Sequence, residues 1–159
     1  MTKTAGAVPD PAVPAVDRAE RRTILDAAGR AKAYRPMAEP DRTAAVIAGL
    51  RAYAAGDYFE AHELMEPAWM GSDDPVERDL IQGLIKLAAA DVHAVRGNPR
   101  GVARNLEGAR ERLGRAPHGD ALPDLALDLT SLLTAIDQRL VDLAAGRPTE
   151  PIAITWSRR

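Results

Sequence analysis

Apolar residues recur at helical spacing along most of the chain, and an Asp or Asn stands just before three of the stretches that carry them. Asp57 follows Gly56 and precedes Glu60 by three, Asp74 precedes Pro75 and Glu77 in the same way, and Asn98 lies between Gly97 and Pro99. A short polar side chain in that position accepts from first-turn amides that have no carbonyl inside the helix, and a proline just after it costs little, because its missing N–H would have been one of those orphans. Gly56 and Gly97 fit the left-handed residue that ends a preceding helix. The pattern predicts helices over about 41–55, 58–69, 75–96 and 99–114. A last helix is expected over about 123–145, where Leu125, Leu129, Leu132, Ile136, Leu140 and Leu143 form one stripe before Gly146 and Pro148. A first helix of modest amphipathicity is expected from Asp17 to about Ala33, through Ile24, Leu25, Ala28 and Ala31.

Composition supports the same class. Helix formers, led by Ala, Leu and Arg, dominate and aromatics are only 4% of the chain, so strands have little to be built from. The expected fold is all-α, a compact bundle of five to six helices arranged as antiparallel helix hairpins. With 159 residues, one domain is the natural division. Residues 1–15, rich in Pro and Ala, are expected to form a disordered tail, residues 16–146 a single helical domain, and residues 147–159 a C-terminal tail. Ile152, Ile154 and Trp156 suit this last tail either to dock on the bundle as an extended cover, which is the expectation, or to bind a partner.

The absence of Cys excludes a disulfide framework, a thiolate metal site and a cysteine nucleophile, so any metal must sit on His, Asp or Glu. A formal charge of -2 supplies no global field to gather nucleic acid, which is not expected as a partner. Prolines 9, 11 and 14 interrupt the N-terminus where an export signal would need an apolar run, and no stretch approaches membrane-spanning length, so a cytoplasmic protein is expected. A homodimer or another protein is the kind of partner left. Serine-nucleophile elbows, phosphate-binding glycine loops and dinucleotide fingerprints do not occur.

Candidate chemistry concentrates in G-D-Y-F-E-A-H-E-L-M-E-P-A-W, residues 56–69. At 100° per residue, with Phe59 at zero, Met65 falls at about 240°, Trp69 at about 280°, His62 at about 300° and Glu66 at about 340°. His62 and Glu66 are thus expected inside an apolar arc, where polar groups must find partners. One reading is a metal site for Zn or Mn: His62 and Glu66 lie at i and i+4, and Glu63 follows the His as the general base does in H-E-x-x-H zinc hydrolases. The third ligand would come from the helix at 75–96, as either Asp91 or His93, which point to opposite faces of it. The other reading is structural: His62 and Glu66 bond each other or a neighbouring helix, and Asp91 pairs with an Arg of the next helix. Gln82, Lys86 and His93 form a polar stripe that is either solvated or, because Gly83, Ala90 and Ala94 border it, covered by another helix.

Together with I-Q-G-L-I-K-L-A-A-A-D-V-H-A-V-R-G-N-P-R-G, the motif resembles a prokaryotic family of small helical proteins, the domain of unknown function three hundred and nine. The resemblance runs from about Gly49 to Leu113. It rests on Gly56, Tyr58, Ala61, His62, Glu63, Glu66, Trp69, Gln82, Gly83, Leu84, His93, Gly97 and Asn98. It implies an all-helical fold, and members have been labelled predicted metal-dependent hydrolases. The resemblance favours His93 as the further ligand, whereas a carboxylate on an apolar face favours Asp91. Two residues depart from the pattern: Pro67, which raises the expectation of a bend between Glu63 and Trp69, and Asp91, at a position usually apolar. The sequence leaves a non-catalytic interaction or structural module and, as the alternative, a metal-dependent hydrolase.

Overall fold

The computed structural model describes residues 23–25, 31–116 and 119–159 of the chain. Among these are five helices: α1 (Glu39–Ala54), α2 (Tyr58–Met70), α3 (Pro75–Val95), α4 (Pro99–Arg115) and α5 (Leu129–Ala144). Each packs on the next in chain order, as the short turns between the first four would dictate. The fold is an all-α bundle, as expected, with two short strand pairs added: β1 (Thr23–Leu25) with β2 (Ala31–Ala33), and β3 (Leu125–Leu127) with β4 (Trp156–Arg158), both antiparallel.

Two of the three start signals act as their chemistry requires. Asp74 accepts from the amides of Val76 at 2.8 Å and Glu77 at 3.0 Å, and Asn98 accepts from Gly101 at 3.1 Å. Asp57 makes no such bond. Gly56 and Gly97 take φ of 85° and 68°, the left-handed stop that a side chain would strain. Between the stops, Leu50, Met65, Leu80, Leu84, Leu87, Leu106, Leu113 and Ile136 fill one continuous core.

Two glycines set how closely the helices approach. A Cβ on Gly49 would lie 2.3 Å from Met65 Cγ, and one on Gly83 would lie 2.5 Å from Leu113 Cγ, so α1 meets α2 and α3 meets α4 at backbone-to-side-chain distance. The polar stripe of α3 is covered by α4 at two points: the Lys86 stem passes over Gly108 and the His93 ring over Gly101. With α2 on one side and α4 on another, α3 is the central helix.

Two expectations are corrected. Residues 23–25 and 31–33 of the expected first helix are paired strands, Thr23 opposite Ala33 and Leu25 opposite Ala31; the rest of that helix and the 1–15 tail lie outside the described residues. Thr23 and Ile24 are β-branched and no cap fixes a helix start there, so the local pattern suits a pleat as well as a turn. The last helix begins at Leu129 rather than 123: Asp124 has φ of 61°, which a helix cannot contain, and Asp128 caps Ser131 at 3.0 Å. Leu125, Leu127 and Leu129 therefore read at period two, not as part of a helical stripe. Helix α2 is continuous through Pro67, which stands on its exposed side.

The C-terminal segment docks as an extended cover. Trp156 pairs with Leu127 and Arg158 with Leu125, Asp128 N donates to the Thr155 carbonyl at 3.0 Å, and Ile152 is buried.

Candidate metal centre

Helix α2 turns Ala61, Met65, Ala68 and Trp69 to the core and leaves Phe59 62% exposed. The apolar arc inferred from the sequence was centred too near Phe59. The true inward direction lies at about 225° on that wheel, which puts His62 about 75° and Glu66 about 115° away from it. Both are half-buried on the flank of the helix rather than enclosed. Phe59 misled because, although large and apolar, it stands about 135° from that inward direction.

On that flank His62, Glu63 and Glu66 each offer one ligand atom, and the three atoms lie within 4.8 Å of one another. A ring nitrogen of His62 faces the Glu63 carboxylate at 3.3 Å, with their side chains 32% and 51% exposed. One imidazole and two carboxylates within that span are the right number and chemistry of donors for a first-row divalent cation with positions left open. The third donor thus comes from the same helix as the other two.

Neither Asp91 nor His93 is part of that group. Asp91 is fully buried, accepts from Tyr53 Oη at 2.6 Å and pairs with Arg139 Nη2 at 2.8 Å; Arg139 in turn donates from Nε to Thr149 Oγ1 at 3.2 Å. The expected ion pair exists, but its cation comes from α5 instead of the next helix. Burial first, and the Asp91 charge second, push the Tyr53 hydroxyl far above the ordinary tyrosine range. Tyr53 meets Tyr58 edge to face with centroids 5.2 Å apart, so the network reaches the first residue of α2. His93 sits at the α3–α4 turn with its Nδ1 3.1 Å from the Asn98 side chain.

A groove of about 450 Å³ opens beside the donor group, lined by Arg35, Pro36, Met37, Ala38, Asp41, Glu63, Glu66, Pro67 and Met70. Its two walls are tied together. Arg35 N donates to the Met70 carbonyl and Met37 N to the Gly71 carbonyl, each at 3.2 Å, so the segment before α1 satisfies carbonyls at the end of α2. Gly71 makes this approach feasible, since a Cβ there would lie 2.5 Å from Met37 Cβ. Arg42 donates to the Met37 carbonyl and forks onto buried Glu77, which raises its already high pKa further. Sequence reasoning missed Arg35, Met37 and Asp41, because they enter the site through a tertiary crossing that no local motif encodes. The one available signal was Arg35–Pro36, a dipeptide that reads as extended chain entering a helix.

In an alignment of 96 residues the chain is 32% identical to a protein of Bacillus subtilis (strain 168) named Uncharacterized protein YpuF. The aligned part covers 58% of this chain and 54% of that one, so the chain spans about half the length of this relative. No solved structure matches the chain. Residues 46–105, which hold α2, α3 and all of His62, Glu63, Glu66, Asp91 and His93, match the family described as Domain of unknown function (DUF309). The resemblance read from the motif helix is thereby borne out: residues 46–105 match the model of that small, all-helical domain of unknown function.

Proposed function

We propose that α2 carries a divalent-metal site, for Zn or Mn, held by His62, Glu63 and Glu66, with the adjoining groove as the place where a ligand meets it. The observation that carries this reading is the convergence of three donor atoms within 4.8 Å on a solvent-reachable flank of a helix fixed by its buried face. A cation bound there would supply Lewis acidity to an oxygen of the groove ligand. The protein's part is to hold the donors. Ala61, Met65, Ala68 and Trp69 lock α2 in rotation, and His62 and Glu66, one turn apart, face the same way on it. In this arrangement Glu63 is a ligand, and the general-base role foreseen for it falls to a carboxylate left unliganded, for which Asp41 of the groove lining is the candidate.

Metal binding is tested by adding Mn or Zn to untagged protein and following the melting temperature. A site filled to one hundred times its dissociation constant stabilises the fold by about 2.7 kcal/mol. The expected result is a clear upward shift that His62→Ala abolishes. No shift with either metal, or a shift that persists in His62→Ala, would overturn the reading.

A second reading, a non-catalytic module for a protein partner or a second copy, is supported by a separate observation. Phe59 and Val95, 62% and 76% exposed, border a groove of about 460 Å³ between the start of α2 and the end of α3. A purely interaction-based role predicts that Phe59→Ser changes the oligomeric state or partner binding while added metal changes nothing.

A further inference from the structure

We propose that the groove beside α2 takes a small organic anion with an apolar body, and takes it only after a divalent cation is seated at His62, Glu63 and Glu66. This rests on the metal reading above and deepens it.

The lining decides the ligand class. Asp41, Glu63 and Glu66 set against Arg35 give the bare groove a net charge of -2, which repels an anion. A divalent cation on Glu63 and Glu66 cancels that charge, so the lining no longer repels an anion and presents the cation and Arg35 as attractive groups, with Asp41 the one carboxylate left uncoordinated. A guanidinium recognises carboxylate or phosphate through a planar fork of donors, so the anionic end of the ligand is set between Arg35 and the cation. The remaining walls are apolar: the Met37 and Met70 side chains and the rings of Pro36 and Pro67. They ask for a hydrocarbon or aryl body rather than a bare ion. A volume of about 450 Å³ suits a molecule of that size, since small-ligand pockets run from roughly 300 to 1,000 Å³.

The groove is also built before the ligand arrives. The Arg35 and Met37 amides are bonded to the Met70 and Gly71 carbonyls, and Arg42 holds the Met37 carbonyl from the other side. Pro67, the departure from the family pattern, lines this groove, and its ring offers a flat apolar face where a flexible side chain would cost ordering entropy.

Calorimetric titration of the full chain separates the two claims. Mn is titrated first, into wild type and Arg35→Gln; phenyl phosphate, and benzoate in parallel, are then titrated into metal-free and Mn-saturated protein. Equal Mn affinity in the two proteins is expected, because Arg35 is not a ligand. At least one of the two anions should bind the Mn-loaded wild type about tenfold or more tighter than the metal-free protein, and Arg35→Gln should weaken that binding about tenfold. Mn binding with no anion binding, anion affinity indifferent to Mn, or affinity unchanged in Arg35→Gln overturns the inference and leaves the metal site standing. Failure of Mn itself to bind overturns both.

Discussion

Asp91 and Arg139 form a buried ion pair at 2.8 Å across the bundle, the carboxylate fully buried and the guanidinium 4% exposed. Removing one partner strands a charge in the core, which costs about 3–5 kcal/mol, whereas replacing the whole set by apolar residues of similar volume is often near neutral. Asp91→Ala and Arg139→Ala are each expected to lose stability in that range by urea denaturation. The combination Asp91→Leu, Arg139→Met and Tyr53→Phe should recover most of it, because Arg139 Nη1 already lacks a hydrogen-bond partner and the network is incompletely satisfied.

Tyr53 makes stability depend on alkaline pH. Its folded pKa is raised, by burial first and the neighbouring carboxylate second, so the folded state retains a proton that the unfolded chain releases near the ordinary tyrosine pKa of about 10. The stabilisation is fully present below that pH and declines as pH rises beyond it. Denaturation midpoints between pH 8 and 11 should fall above pH 10 in wild type and fall less steeply in Tyr53→Phe.

Gly71 and Gly114 should respond oppositely to alanine. A Cβ at Gly71 would strike Met37 Cβ at 2.5 Å and force apart the segment before α1 and the end of α2, at a cost of about 1–3 kcal/mol. Gly114, inside α4, has nothing within 4 Å of the same position, and Gly114→Ala should stabilise by about 0.5–1 kcal/mol through helix propensity. Thermal melts of the two variants check both signs.

The C-terminal cover is expected to contribute to stability at two points. Ile152→Ala should cost about 2–4 kcal/mol from lost apolar burial. Thr149→Val should cost about 1–3 kcal/mol, since it leaves the Nε donor of Arg139 unsatisfied. Equilibrium unfolding of each variant measures the loss; wild-type stability in either would show that the cover only rests on the bundle.

What the sequence could convey was whatever a few neighbouring residues decide among themselves. Asp74, Asn98, Gly56 and Gly97 placed the helix boundaries because a cap or a left-handed stop is a local event. Leu125 and Leu127 misled because a run of alternate leucines satisfies a helical stripe and a strand equally until a partner strand, here Trp156–Arg158, is known. The metal-ligand reading looked for a further ligand on α3 because it took Glu63 for a base, whereas the side chains near enough to share an ion, His62, Glu63 and Glu66, all stand on α2. The choice between Asp91 and His93 could not be made from helical angles, since covering on both faces of α3 gives each of them a home.

Asp91 lies within residues 46–105, whereas Arg139 and Thr149 lie beyond them. The stretch held in common with the family therefore contains a charge whose counterpart is not part of the common stretch. A fragment limited to α1–α4 would keep Asp91 and the Tyr53 hydroxyl that donates to it but lose the Arg139 guanidinium that pairs with it. The stretch that matches the family model and the stretch that completes the pairing of Asp91 are, in this chain, two different lengths of polypeptide.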